Sequence, residues 1–268
     1  MKCSIAVILV FIGLSSIVCA QSEMLTTVQD ETNKDSHLFL FPTAFTKQKA
    51  QYEIHFEMEP FLTQFTIGVS NRLTLGVSYG GEHVVGTDDP NWYERVEFLG
   101  SYRIIDETYS WPALAIGFSS VGWGHYFEEY SRYLIKSRGF YVTFSKQTSF
   151  LGGTGLHGGV NYSVEGNNDE KKDGISLFCG MTKNLNEELA MLIEYDFAFN
   201  DKGVHRIGDG KGWLNAGLRW AFAPELVIDF QVINILQNAS TDPTEDVYVS
   251  EEYNKTARNL TITYRAFF

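Results

Sequence analysis

The sequence predicts an all-β protein, a single antiparallel transmembrane β-barrel of about twelve strands. Three observations predict it. Segments of roughly nine to thirteen residues alternate apolar and polar side chains, the length a tilted strand needs to cross the hydrocarbon layer. Short and long connections between them follow in turn, as in barrels with tight turns at one end and longer loops at the other. Beyond the N-terminal segment no apolar run approaches the roughly 20 residues of a spanning helix, so any span must be β. The 24 glycines against 6 prolines and the 15% aromatic content favour pleated strands and tight turns over helices.

The elements follow in chain order. Residues 1–20 read as a signal peptide: Lys2 precedes an apolar stretch over 5–14, and Val18-Cys19-Ala20 places a small residue at a cleavage position near Ala20. Cys19 opens a lipoprotein reading, which the bulk of Val18 before it disfavours. Residues 21–48 form an N-terminal polar segment followed by an apolar one. The stretch 21–36 is polar and reads as disordered. Residues 38–45 are apolar but broken by Pro42, which cannot donate within a central strand. This part is expected to plug or cap the barrel on the periplasmic side, with an extra edge strand as the other reading.

The barrel itself is expected over 49–268, with strands at about 49–59, 62–70, 72–80, 92–105, 110–120, 137–147, 153–164, 173–183, 188–199, 212–222, 225–234 and 257–268. The tight links fall at 71–72, 106–109, 148–152, 184–187 and 223–224, and the long ones at 81–91, 121–136, 165–172, 200–211 and 235–256; the link at 59–61 is the exception, short where the scheme places it outside. Twelve is an even number, as single-chain barrels require, and both termini then lie in the periplasm.

Period 2 separates two faces on each strand. In the first, Tyr52, Ile54, Phe56 and Met58 face lipid, and Glu53, His55 and Glu57 face in. Val96, Phe98, Tyr102 and Ile104 oppose inward Arg95, Glu97 and Arg103; Ile193, Tyr195 and Phe197 oppose Glu194 and Asp196. Leu218 and Trp220 oppose Arg219, and Ile228 and Phe230 oppose Asp229. His157 and Asn161 share the inward parity of their strand, and Arg265 that of the last. A soluble β-sandwich would carry the same alternation with the apolar face buried. The signal peptide, the loop asymmetry and the terminal residue favour the membrane. Trp92, Tyr102, Trp111, Tyr162, Trp213 and Trp220, near strand ends, suit interfacial girdles.

Twelve strands lie between barrels filled by side chains and those that leave an aqueous channel, so a narrow or plugged pore is expected. The inward charges are mixed in sign and can pair to brace the wall.

Two resemblances add to this reading. The last strand alternates Leu260, Ile262, Tyr264, Ala266 and Phe268 against Thr261, Thr263 and Arg265, and resembles the terminal strand of bacterial outer-membrane barrels. The resemblance implies that Tyr264 and Phe268 belong to a signal read by the barrel-insertion machinery. The stretches 73–81, 112–118, 136–141, 156–162 and 214–220, with Tyr126 and Tyr130 between, resemble the YjbH-like outer-membrane barrels associated with exopolysaccharide production. That resemblance implies an outer-membrane location and a link to polysaccharide export.

Other classes fit less well. A net charge of −12, which becomes −13 when Lys2 leaves with the signal peptide, argues against nucleic acid as a partner. Cys179 alone remains after cleavage, so no intramolecular disulfide forms. A lipid hydrolase would need a nucleophile, a base and an orienting group in reach of one another. His157, Asn161 and Ser163 are candidates, but they face away from the lipid, so no catalytic residue is assigned. His83, His125 and His205 fall in separate loops without metal-ligand spacing. The acidic loop residues, among them Asp88, Asp89, Asp169 and Asp242, read as solvated, with divalent-cation binding as the other reading. Neither metal nor cofactor is expected. The partners expected are outer-membrane lipids, the insertion machinery, and polysaccharide or small solutes. A surface adhesion barrel acting through loops 121–136 and 235–256 is a further reading.

Overall fold

The computed structural model describes residues 35–84, 89–149, 153–166, 174–201, 206–241, 249–251 and 253–268. The signal peptide, its cleavage near Ala20 and the polar stretch to residue 34 lie outside the described residues, as do Asp88, Asp169, His205 and Asp242.

Fifteen strands are present among the described residues: β1 Gln51–Met58, β2 Phe61–Ser70, β3 Leu73–Glu82, β4 Asn91–Trp92, β5 Glu97–Ile105, β6 Ala113–Ser119, β7 Trp123–Phe127, β8 Arg132–Ile135, β9 Gly139–Thr148, β10 Thr154–Tyr162, β11 Ser176–Asn184, β12 Leu189–Asp196, β13 Trp213–Ala223, β14 Leu226–Ile233 and β15 Ala257–Phe267. Twelve of them, all but β4, β7 and β8, pair antiparallel around a closed barrel. Closure joins the first strand to the last, from Gln51 opposite Phe267 to Glu57 opposite Thr261. No strand of the barrel is left with an open edge, which is what backbone in a lipid environment demands.

The barrel is inside-out relative to a soluble sheet. Phe98, Phe140 and Phe230 on the outer face are at least half exposed, whereas Thr143, Ser145 and Asn215 on the inner face are fully buried. Alternation on each strand produces this split, because neighbouring side chains point to opposite faces. Trp111, in a tight connection, is 69% exposed, as an interfacial ring would be.

Each of the twelve segments read from the sequence holds one barrel strand, with ends moved by a few residues. Three differences have physical causes. The segment 92–105 is broken: β4 pairs with the far end of β3, where Gly81 faces Trp92, and β5 starts at Glu97 opposite Ser78. Between them Tyr93 turns inward and donates its hydroxyl to the Gly124 carbonyl at 3.1 Å. Arg95 therefore leaves the wall and stands at the rim, paired with Glu97, rather than projecting from a strand into the lumen. The segment 188–199 ends early, because Ala198 takes a left-handed backbone with φ 49°. The connection 121–136, read as a plain loop, contains the hairpin β7–β8, in which Trp123 faces Ile135 and Phe127 faces Arg132.

Candidate functional site: a lumen occupied from both ends

From the short-turn end, residues 35–48 rise into the barrel. They fold into a small loop, with Leu38 N–H donating to Phe41 O at 2.8 Å and Thr43 N–H to Ser36 O at 3.0 Å. A segment without strand partners must find acceptors for its amides elsewhere. Here the wall supplies them. Glu194 of β12 accepts from Phe39 N–H and Leu40 N–H at 3.1 Å, Ser145 of β9 from Ala44 N–H at 2.8 Å, and Thr74 of β3 from Lys47 N–H at 2.9 Å. Arg219 of β13 holds the base of the loop. Its guanidinium pairs with both oxygens of Asp229 at 2.8 Å, with Asp35 at 2.7 Å, and donates to Leu38 O at 2.8 Å. Arg265 adds a second pair to Asp35 at 3.3 Å, and Lys47 pairs with Glu53.

The apolar side chains of this plug explain an exception to the polar lumen. Tyr141, Phe178 and Leu192 point inward and form one buried cluster with Leu38, Phe39 and Phe41. Ala44 and Phe45 pack on Ala113 and Ala115. The wall also makes room: a Cβ on Gly180 would come within 2.2 Å of Leu38, and one on Gly217 within 2.9 Å of Phe39.

From the long-loop end, the hairpin β7–β8 folds down into the mouth. Trp123 donates its indole N–H to Glu57 at 2.7 Å, and Tyr133 its hydroxyl to Glu97 at 3.0 Å. Arg132, wholly buried, forks onto Asp201 at 2.5 and 3.2 Å. Glu165 accepts the backbone N–H of Tyr133 and of Ser137 at 3.2 and 3.3 Å. Trp123, Leu134 and Ile135 share a core with Ile207, Trp213 and Ile233, and Leu40 of the plug packs against it. The plug therefore reaches the core that the hairpin shares with the wall.

Electrostatics distinguish the anchors. Burial alone would raise the Asp35 carboxyl, but Arg219 and Arg265 outweigh it and hold the group below its ordinary 3.8. Burial, with Arg219 and His55 adding to it, keeps His37 neutral well below its ordinary 6.5. Asp201 behaves like Asp35: burial raises it, Arg132 lowers it further, and the net is down. Glu165 goes the other way, because burial outweighs its hydrogen bonds from Ser137 and Tyr133.

Of the residues expected to form the lumen network, Glu53, His55, Glu57, Glu97, His157, Asn161, Glu194, Asp196, Arg219 and Asp229 are buried at inward positions. Arg103 and Arg265 are partly buried near the short-turn end, where Arg103 donates to Asn71 O at 2.8 Å. Asp196 pairs with Arg138, and His55 Nδ1 meets Thr263 Oγ1 at 2.8 Å. The structure does not assemble His157, Asn161 and Ser163. His157 Nδ1 meets Ser145 Oγ at 2.8 Å, Asn161 donates to Arg138 O at 3.1 Å, and Ser163 accepts from Glu165 N–H at 3.2 Å. Tyr264 and Phe268 are exposed, at 42% and 79%, with the Phe268 ring 4.7 Å from that of Tyr52. Sequence reasoning missed Asp35, Lys47, Arg132, Arg138, Ser145, Glu165 and Asp201. Only Ser145 lay on a strand whose inward parity was legible.

No family model matches the chain, and no curated protein matches it. Among solved structures, the NanC porin is 10% identical, with 81% of this chain and 98% of that chain covered and a TM-score of 0.41. Outer membrane phospholipase A from Escherichia coli is 9% identical, covering 84% of this chain and 94% of that one at a TM-score of 0.36. The outer membrane phospholipase of Salmonella typhi is 10% identical, covering 95% and 96% at 0.33. Scores at this level assign neither family nor activity.

Proposed function

We propose that this chain is an integral outer-membrane barrel acting as a narrow, plugged pore. The observation that carries the reading is the filled lumen: the plug and the hairpin enter a closed twelve-stranded wall from its two ends and line, between them and the wall, a cavity of about 110 Å³. The apolar outer face supports lipid contact around the barrel. Tyr264 and Phe268 are the side chains offered to the insertion machinery. The resemblance to YjbH-like barrels makes envelope or exopolysaccharide export the cellular setting in which such a pore, or a scaffold built on it, would work.

Lipid hydrolysis is the weaker reading. The one serine–histidine contact near the proposed trio, Ser145 to His157, is 0% and 2% exposed and faces the plug, away from any ester in the membrane.

The test is planar-bilayer conductance of the refolded protein, with heat-modifiable gel mobility as the check on folding. The full chain should give small, rare steps, and a variant lacking residues 35–46 should give larger and longer ones. A folded deletion variant that stays silent overturns the pore.

A further inference from the structure

The inserts do not occupy the lumen evenly. Among the described residues, every ion pair between plug and wall lies on one side: Asp35 with Arg219 of β13 and Arg265 of β15, and Lys47 with Glu53 of β1. Glu194 of β12, which takes two plug amides, is on that side too. There the plug also presses on Gly180, where an added Cβ would meet Leu38 first.

The opposite wall differs. From β2, β3, β5 and β6 the cavity is lined by the uncharged donors and acceptors Gln64, Thr66, Thr74, Ser101 and Ser119, with the apolar Leu62 and Leu99 between them. A Cβ on Gly76 of β3 would meet first the atoms of its own wall, Thr66, Phe65 and Leu99. The plug touches this side at its base, through Thr74 and beside Gly68, and on β6, where Ala44 and Phe45 pack on Ala113 and Ala115. The cavity follows this wall from Thr74, near the short-turn end, to Val121 and Lys136 beside the hairpin.

The charged groups that border it are turned to other partners. Glu57 accepts from Trp123 and Asn259, Arg138 pairs with Asp196, and Lys136 donates to Asn200 O at 3.1 Å. His37 is neutral, for the reasons given above. An ion entering the gap would exchange its hydration shell for little more than Glu57 Oε2, the carboxylate oxygen that Trp123 and Asn259 leave open, which is costly in a confined site. A hydroxylated neutral solute exchanges water for wall hydroxyls and an amide at little net cost.

Resting on the pore reading, we infer that the solute path is this gap between the plug and the β2–β3–β5–β6 wall, and that it passes small uncharged polyols in preference to ions. A cavity of about 110 Å³ holds on the order of three or four waters, each about 30 Å³. A three-carbon polyol is of that scale and a disaccharide is not.

The experiment is swelling of proteoliposomes containing the full chain in glycerol and in sucrose, with potassium chloride conductance measured in parallel. Glycerol should enter at least about tenfold faster than sucrose, with little ion current. Thr66→Cys and Ser101→Cys, each in a Cys179→Ser background, should react with neutral methyl methanethiosulfonate at least about tenfold faster than with its sulfonatoethyl analogue, and the reaction should slow glycerol entry. Thr182→Cys, at an inward position of β11 and outside the cavity lining, should leave entry unchanged on treatment. Swelling that is indifferent to modification at Thr66 and Ser101 overturns this path while leaving the pore intact. Ion current that matches glycerol entry overturns the selectivity. No swelling in any solute, with the deletion variant of residues 35–46 also silent, fails the pore itself.

Discussion

The plug and the hairpin fill one lumen from opposite ends, yet they are held by different means. The hairpin carries its own strand pairing, an apolar core shared with the loop residues Ile207 and Val249, and a buried fork from Arg132 to Asp201. The plug has one isolated bridge, His37 with Pro42, and a few bonds of its own through Thr43 and Ser36, and takes its other partners from the wall. Its amides rest on Glu194, Ser145 and Thr74, and its carboxylate on two arginines. The first is a piece of the fold; the second is an intramolecular ligand. Segments of the second kind open with a smaller free energy than the global one.

The largest effect expected follows from the hairpin. Arg132→Ala leaves Asp201 buried without its partner, and breaking a buried ion pair from one side costs about 3–5 kcal/mol. Denaturant unfolding in detergent should show that loss, along with protease cleavage between residues 121 and 138. A loss under about 1 kcal/mol, the range of exposed pairs, would mean that the hairpin is no better secured than the plug and would remove the contrast.

A conductance change should come next in size. Gly180→Leu puts a side chain where Leu38 now sits, within 2.2 Å of the Cβ position, and overpacking of that kind costs about 1–3 kcal/mol. The plug, not the wall, should yield. Single-channel current should rise by about an order of magnitude, residues 35–48 should become protease-sensitive, and gel mobility should stay that of a folded barrel. Cleavage at the hairpin instead would show that the two inserts move as one.

The same contrast governs what the sequence revealed. The barrel was legible because period 2 survives in every strand, and its inward set fell out of parity. The hairpin was not, since β8 buries all four of its residues, Arg132 to Ile135, and β7 has Gly124 at φ 81°, so neither strand alternates. The plug was half legible: residues 38–45 stood out as apolar and broken by Pro42. Its receptor left a trace in Phe178 and Leu192, apolar side chains at inward positions where polar ones were expected. The anchor did not, because Asp35 and Arg219 are 184 residues apart and no local pattern links them.

Asp35→Asn should be milder than Gly180→Leu. It removes two ion pairs that both have partly exposed members, while Arg219 keeps Asp229. A gain of a few-fold in open probability is expected, corresponding to under about 1.4 kcal/mol. Arg265→Gln, which removes only the longer of the two pairs, should do less still. If both variants match the deletion of residues 35–46, the apolar contacts of Leu38, Phe39 and Phe41 contribute nothing to retention.

Acid should produce the smallest and most gradual change, and it separates the inserts by sign. Asp35 titrates below its ordinary 3.8, so its contribution is present above that value and is lost as pH falls through the folded one. His37 is held neutral below its ordinary 6.5, so acid favours the released, protonated form from about pH 6.5 downward. Both act to loosen the plug. Among the hairpin's partners Asp201 is lowered and weakens with acid, but Glu165 is raised, and its contribution is full below its ordinary 4.5 and lost as pH rises. The two oppose each other. Limited proteolysis across a pH series should therefore expose residues 35–48 at a higher pH than residues 121–138, and His37→Gln should remove the early part of the plug response. Simultaneous exposure of both segments would mean that the inserts share one opening, through the contact of Leu40 with the hairpin core, and that the plug is not an independent ligand of the barrel.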